Sequence, residues 1–224
     1  MEQRKLIAGI ILAVPFFYIY GLTFLSLSIN AEGYISPLTL TLSLLMNLVV
    51  MAGSSFICIY VLYGGGIKKI LYRLYFRKSR ALHSALLGVA TAIIFIFLVT
   101  IFVYFLQGLG YETESEMAQE IAENVNIYLL FIIPFLSALS EETFFRAFLQ
   151  MRMSKFMGKP AAILLSSLLF GIAHLSYGSP LQVVIPFLLG IALGYLMMKN
   201  ENIIAPFSAH FAFNFIQLAP FVFT

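Results

Sequence analysis

Seven stretches of this chain stay apolar for about twenty residues at a time, the length a helix needs to cross a bilayer, and few folds admit such runs. They lie at approximately 6–29, 38–63, 83–107, 126–149, 160–177, 181–198 and 203–222. Of the 224 residues 61% are hydrophobic and 10% charged, with a mean hydropathy of +0.97, more apolar surface than one soluble core can hide. Helices in lipid need no such core, because each satisfies its own backbone hydrogen bonds. The expected fold is all-α: a polytopic transmembrane helical bundle of about seven spans, integral to the cell membrane and partnered by the lipid bilayer.

Charge sets the expected orientation. Arg4 and Lys5 precede the first stretch; Lys68, Lys69, Arg73, Arg77, Lys78 and Arg80 separate the second from the third. Arg152, Lys155 and Lys159 separate the fourth from the fifth, and Lys199 follows the sixth. With a cytoplasmic N-terminus all of these fall on the cytoplasmic side, as the positive-inside rule requires. One loop on the other side holds Glu112, Glu114, Glu116, Glu120 and Glu123. An Arg-Lys pair before an apolar run also begins a signal peptide, but the first run is too long for one.

The basic residues thus have a topological role, and the net charge of +3 does not point to a nucleic-acid partner. Cys58 is the sole cysteine, which excludes an internal disulfide and a cysteine-based metal cluster and leaves it to pack within a helix. Gly64-Gly65-Gly66 before Lys68 and Lys69 is glycine-rich and basic, but without a strand-loop-helix context it reads as a hinge rather than a phosphate loop. His83, Asn47 and Gln182 read as interfacial or packing polar groups.

Ionisable groups at membrane depth cost roughly 2.5–3.5 kcal/mol each on insertion scales, so those that occur there need a reason. The fourth stretch holds Glu141, Glu142 and Arg146, the fifth His174, and the seventh His210 and Asn214. The midpoint between Glu141 and His174 falls in the short basic turn at Met157 and Gly158, so an antiparallel hairpin sets the two at equal height. His210 and Asn214 are four residues apart and share a helix face, as do the opposite charges of Glu142 and Arg146. That pair neutralises itself, whereas Glu141 has no partner in its own helix. A carboxylate beside an imidazole can take a proton from water, and nitrogen donors nearby can hold the oxyanion formed when that water attacks a carbonyl. These are the parts of a hydrolase, placed in the cytoplasmic half of the membrane.

At these positions the sequence resembles the CPBP (CAAX prenyl endopeptidase and bacteriocin-processing, or Abi) family of intramembrane proteases. Three ordered motifs carry the likeness: Glu-Glu-x-x-x-Arg at Glu141, Glu142 and Arg146; Phe-x-x-x-His at Phe170 and His174; His-x-x-x-Asn at His210 and Asn214. It covers roughly residues 126 to 215 and divides the chain into three N-terminal spans with their loops, 1–125, and a catalytic membrane domain, 126–224. The resemblance implies that Glu141 and His174 activate water, that His210 and Asn214 stabilise the oxyanion, and that Glu142 with Arg146 orients the site. The implied reaction is hydrolysis of a peptide bond in a membrane-associated protein or peptide, in the best-known branch a prenylated Cys-a-a-X terminus.

No cofactor is expected. The alternative is an open zinc site with Glu141, His174 and His210 as ligands, although the chain lacks the His-Glu-x-x-His helix that would make such a site easy to defend. Two rival functions share the same helices. One is a non-catalytic membrane immunity or scaffold protein of the same family. The other is a proton-coupled transporter, since intramembrane Glu and His also form proton relays; it is disfavoured because no inverted repeat is apparent and the polar cluster is confined to the second half.

Overall fold

The computed structural model describes residues 2–28, 36–113 and 115–223, and among them the secondary structure is helical throughout, with no strand. Six helices are long and apolar enough to cross a membrane: α1 (Glu2–Leu25), α2 (Pro37–Tyr63), α3 (Ala81–Gly108), α4 (Ile127–Met157), α5 (Lys159–Tyr177) and α6 (Leu181–Asn200). The seventh expected span is α7 (Ile204–Leu218), 15 residues long. Ala219 keeps helical backbone angles and Pro220–Phe223 adds a further helical turn, so at 1.5 Å per residue the segment 204–223 reaches about 30 Å, near the thickness of the hydrocarbon core. The protein is an integral, multi-pass helical membrane protein.

Local chemistry sets the helix ends. Ser36 precedes Pro37 and its Oγ accepts from Thr39 N at 3.1 Å, the N-cap arrangement that starts α2. Asn126 caps α4 in the same way, its Oδ1 accepting from Tyr128 N and Leu129 N at 3.0 Å each. Gly158 takes φ 82 at the turn between α4 and α5, a conformation that disfavours other residues. The acidic loop after α3 contains an element that the apolar pattern does not reveal. Glu116–Glu123 forms a short helix capped by Ser115, whose Oγ also donates to the carbonyl of Tyr177 at 2.8 Å.

Helix α4 is the hub. Every residue of its segment Glu142–Gln150 is buried, and α2, α5, α6 and α7 all pack against it. By contrast, α3 buries only Ser84, Gly88 and Ala92, a stripe with a period of four, and turns Leu82, Leu86, Ile93, Ile94, Phe97 and Leu98 outward. The stripe meets Ala205 and Ala209 of α7; a Cβ added at Gly88 would lie 2.9 Å from Ala209 N. Without a hydrophobic drive between helices in lipid, close backbone approach through small residues is what holds such a pair together. The large side chains are left to face the acyl chains.

Three of the long helices widen locally into π turns: Phe17–Gly21 in α1, Leu48–Gly53 in α2 and Glu142–Gln150 in α4. Such turns insert an extra residue into a helix and occur frequently at functional sites. Helix α5 is broken too. Its regular part ends at Ile172 after 14 residues, and Leu175–Tyr177 form a single 3₁₀ turn before Gly178, at φ 77, and Pro180. At about 21 Å the regular part cannot cross the hydrocarbon alone, so His174 stands on a helix end rather than within a continuous span.

Candidate active site

All seven residues singled out by the sequence motifs lie on α4, α5 and α7. Glu142 and Arg146 are both fully buried, with Glu142 Oε2 3.3 Å from Arg146 Nε, as expected of charges four residues apart. The pair is not self-contained. Glu142 Oε1 lies 2.8 Å from His210 Nδ1. A carboxylate can only accept, so Nδ1 of His210 carries a proton and the opposite nitrogen, Nε2, faces Glu141, whose Oε2 is 3.8 Å away. Two successive residues of α4 therefore address the two nitrogens of one imidazole. The wide turn that begins at Glu142 reduces the angle between neighbouring side chains and helps both carboxylates reach the same side.

Arg146 is held otherwise than by hydrogen bonds. Its Nε, Nη1 and Nη2 are buried without a hydrogen-bond partner among the described residues, while its guanidinium lies 4.6 Å from the ring centroid of Phe170. A desolvated cation over an aromatic face gains up to about 2 kcal/mol or more, part of what burial costs it. Phe170, itself 1% exposed, also stands edge-on to both imidazoles, with centroids 4.9 Å from His174 and 5.7 Å from His210. The aromatic member of the second motif is the spacer between the two histidines.

His174 is fixed by its own helix end. Its Nδ1 is 2.8 Å from the carbonyl of Phe170, which must accept, so Nδ1 carries the proton and Nε2 is left with its lone pair. His174 and Glu141 line one cavity of about 230 Å³, together with Tyr18, Thr23, Asn47, Met51, Phe145 and Tyr177. His210 and Asn214 do not line it: Glu141 stands between the cavity and His210. Asn214, one turn beyond His210, donates from Nδ2 to Ser137 Oγ at 3.1 Å, on the turn of α4 that precedes Glu141. Thus Glu141, Glu142, Arg146 and His210 form one polar cluster, His174 joins Glu141 across the cavity, and Asn214 braces α7 to α4.

The polar groups that sequence reasoning missed come from the first two helices. Tyr18 Oη donates to Asn47 Oδ1 at 2.8 Å, and both line the cavity. The π turns supply Tyr18, Met51 and Phe145 to its wall, and Asn47 immediately precedes the second of them. An intramembrane asparagine was the one signal available, and it fits a packing role equally well. As for the alternative zinc ligands, among the described residues no three His, Cys, Asp or Glu side chains are grouped so as to hold a metal ion.

With this geometry in hand, the comparisons with known proteins fall on the same helices. Residues 123–216 match the family model described as "Type II CAAX prenyl endopeptidase Rce1-like", a segment that contains all three motifs and agrees with the CPBP resemblance. No curated protein and no solved structure matches the chain.

Proposed function

We propose, on the premise that residues 123–216 are those of an Rce1-like type II CAAX prenyl endopeptidase segment, that this chain is an intramembrane endopeptidase acting on a membrane-associated protein or peptide. The family is one of proteases, and prenylated CAAX-type termini are the substrate class that its description names. The observation that carries the reading is the single cavity shared by Glu141 and His174, two groups from different helices able to flank a water molecule.

In this reading the Glu141 carboxylate takes a proton from water while the lone pair on His174 Nε2 accepts its second hydrogen and aims the oxygen. The water oxygen bonds to the scissile carbonyl carbon, the carbonyl electrons move onto its oxygen, and collapse of this tetrahedral species breaks the C–N bond as Glu141 returns the proton to the leaving amine. Of the two nitrogen groups that the motifs offer for the oxyanion, His210 turns its Nε2 toward Glu141, whereas Asn214 Nδ2 is held by Ser137 Oγ and would have to be released to take part. Glu142 and Arg146 orient His210 from behind. The chemistry is proposed to need no metal, and the site to work from the cytoplasmic half of the cell membrane, as the basic loops orient the chain.

The test is direct. The purified chain in detergent or liposomes is offered a prenylated Cys-a-a-X peptide and a library of membrane peptides, with products mapped by mass spectrometry. Wild type should cleave and Glu141→Gln should not. A Glu141→Gln protein that keeps full biological activity would replace the peptidase with a non-catalytic binding role.

A further inference from the structure

The matched segment 123–216 accounts for α4 to α7 but for none of the cavity wall contributed by α1 and α2. Tyr18 and Asn47 are that wall's hydrogen-bonded pair. Polar residues that bond across two membrane helices often serve as glue, and such a bond is worth only about 0.6–2 kcal/mol. Two features set this pair apart. It borders the same cavity as Glu141 and His174, and the bond is made through the asparagine's carbonyl oxygen. Tyr18 thereby fixes which way the amide points. Asn47 Nδ2 has no hydrogen-bond partner among the described residues, although the side chain is half-buried at membrane depth, where donors without water need one.

Asn214 offers a contrast. Its Nδ2 donates to Ser137 Oγ, and its side chain is not part of the cavity wall. Of these two intramembrane asparagines, the one with an uncommitted amide in a position to meet a bound molecule is Asn47.

We propose that Asn47, held by Tyr18, donates from Nδ2 to a carbonyl oxygen of the bound peptide at the bond to be cleaved, supplying an oxyanion donor on the cavity side of Glu141, a wall that neither His210 nor Asn214 lines. This rests on the peptidase reading. The ligand class is a peptide backbone presented with its carbonyl toward α2, and the donation strengthens as the carbonyl oxygen gains charge. Asn47 touches substrate, whereas Tyr18 is a positioning residue that acts through it.

The experiment compares wild type with Asn47→Ala, Asn47→Asp, Tyr18→Phe and Glu141→Gln, all as full-length protein in detergent with the prenylated Cys-a-a-X peptide as substrate. Loss of one preorganised oxyanion donor lowers kcat by about 10²–10³-fold. Asn47→Ala should fall in that range, with KM raised no more than severalfold because donation to the uncharged carbonyl is the weaker part of the interaction. Asn47→Asp, which keeps shape but replaces the donor with an acceptor, should fall at least as far. Tyr18→Phe should show a smaller loss, again in kcat. A role in packing alone would instead lower the thermal midpoint, and Asn47→Asp would behave differently from Asn47→Ala. Binding gives a measurement independent of turnover: on the inactive Glu141→Gln background, adding Asn47→Ala should weaken peptide binding severalfold. An Asn47→Ala enzyme within threefold of wild type in kcat, or with unchanged peptide affinity on that background, overturns the proposal while the peptidase reading stands. A wild type that cleaves no more than Glu141→Gln overturns the peptidase reading itself and the proposal with it.

Discussion

Replacing Glu142 with glutamine keeps the side chain's shape and removes one charge from a pocket that solvent does not reach. Glu142 and Arg146 are both fully buried, and Glu142 Oε2 is the nearest anionic oxygen to a guanidinium with no hydrogen-bond partner among the described residues. Breaking a buried pair by removing one partner costs about 3–5 kcal/mol, because the other charge is left uncompensated. At about 2–4 °C per kcal/mol for a chain of this size, the thermal midpoint should fall by roughly 6–20 °C. The chain contains no tryptophan, but its lone cysteine supplies a probe. Cys58 is fully buried in the core cluster that also contains Phe144 and Phe145, so a maleimide dye that fluoresces on reacting with thiol reports when this core opens. Far-UV circular dichroism should give the same midpoint. Removing both charges together is far less costly than removing one. The double variant Glu142→Gln with Arg146→Met should therefore recover most of the lost stability, although neither variant regains an oriented His210. A drop below 3 °C in the single variant, or a double variant whose loss is the sum of the two singles, would refute the buried pair as an interdependent unit.

Three further outcomes are expected. Glu141→Gln should lower cleavage by about 10²–10⁴-fold, the usual contribution of a positioned general base, without lowering the thermal midpoint. Gly88→Ala should cost about 1–3 kcal/mol by forcing α3 away from α7, whereas Gly9→Ala, with nothing within 4 Å of the added carbon, should gain about 1 kcal/mol in helix propensity; the same thiol-reactivity assay measures both. Zinc chelation should leave cleavage within twofold of the untreated enzyme, and activity lost on chelation and restored by zinc alone would move Glu141, His174 and His210 into a ligand set.

Much of this architecture can be read from the chain because lipid imposes simple rules. Apolar runs mark the helices, basic loops mark one side, and a constant rise per residue sets Glu141 level with His174 across the Met157–Gly158 turn. The helix faces are harder. The i, i+4 spacing of Glu142 and Arg146 correctly pairs them but hides that Glu142 also holds His210, because the widening of α4 alters which neighbours a carboxylate can reach. The same spacing groups Asn214 with His210, yet a hydroxyl four residues before Glu141 takes its amide. Apolar patterning runs through His174 as if the helix continued, whereas Gly178 and Pro180 were the signals that it does not. Tyr18 and Asn47 carry no motif and sit in the half of the chain with the fewest polar landmarks; only the fold brings them beside Glu141.

The three wide turns have a consequence for how this sequence can vary. A regular helix advances about 100° per residue, so one residue more or less swings everything beyond it by that angle. Deleting a single apolar position between Glu142 and Gln150 would scarcely change how the span partitions into lipid, yet it would turn Glu141 and Arg152 to new relative bearings about the helix axis. Around Phe17–Gly21 and Leu48–Gly53 the same holds for Tyr18 and Asn47 relative to the rest of their helices. In these segments the spacing between landmarks should be guarded more strictly than the identity of the greasy residues that fill it.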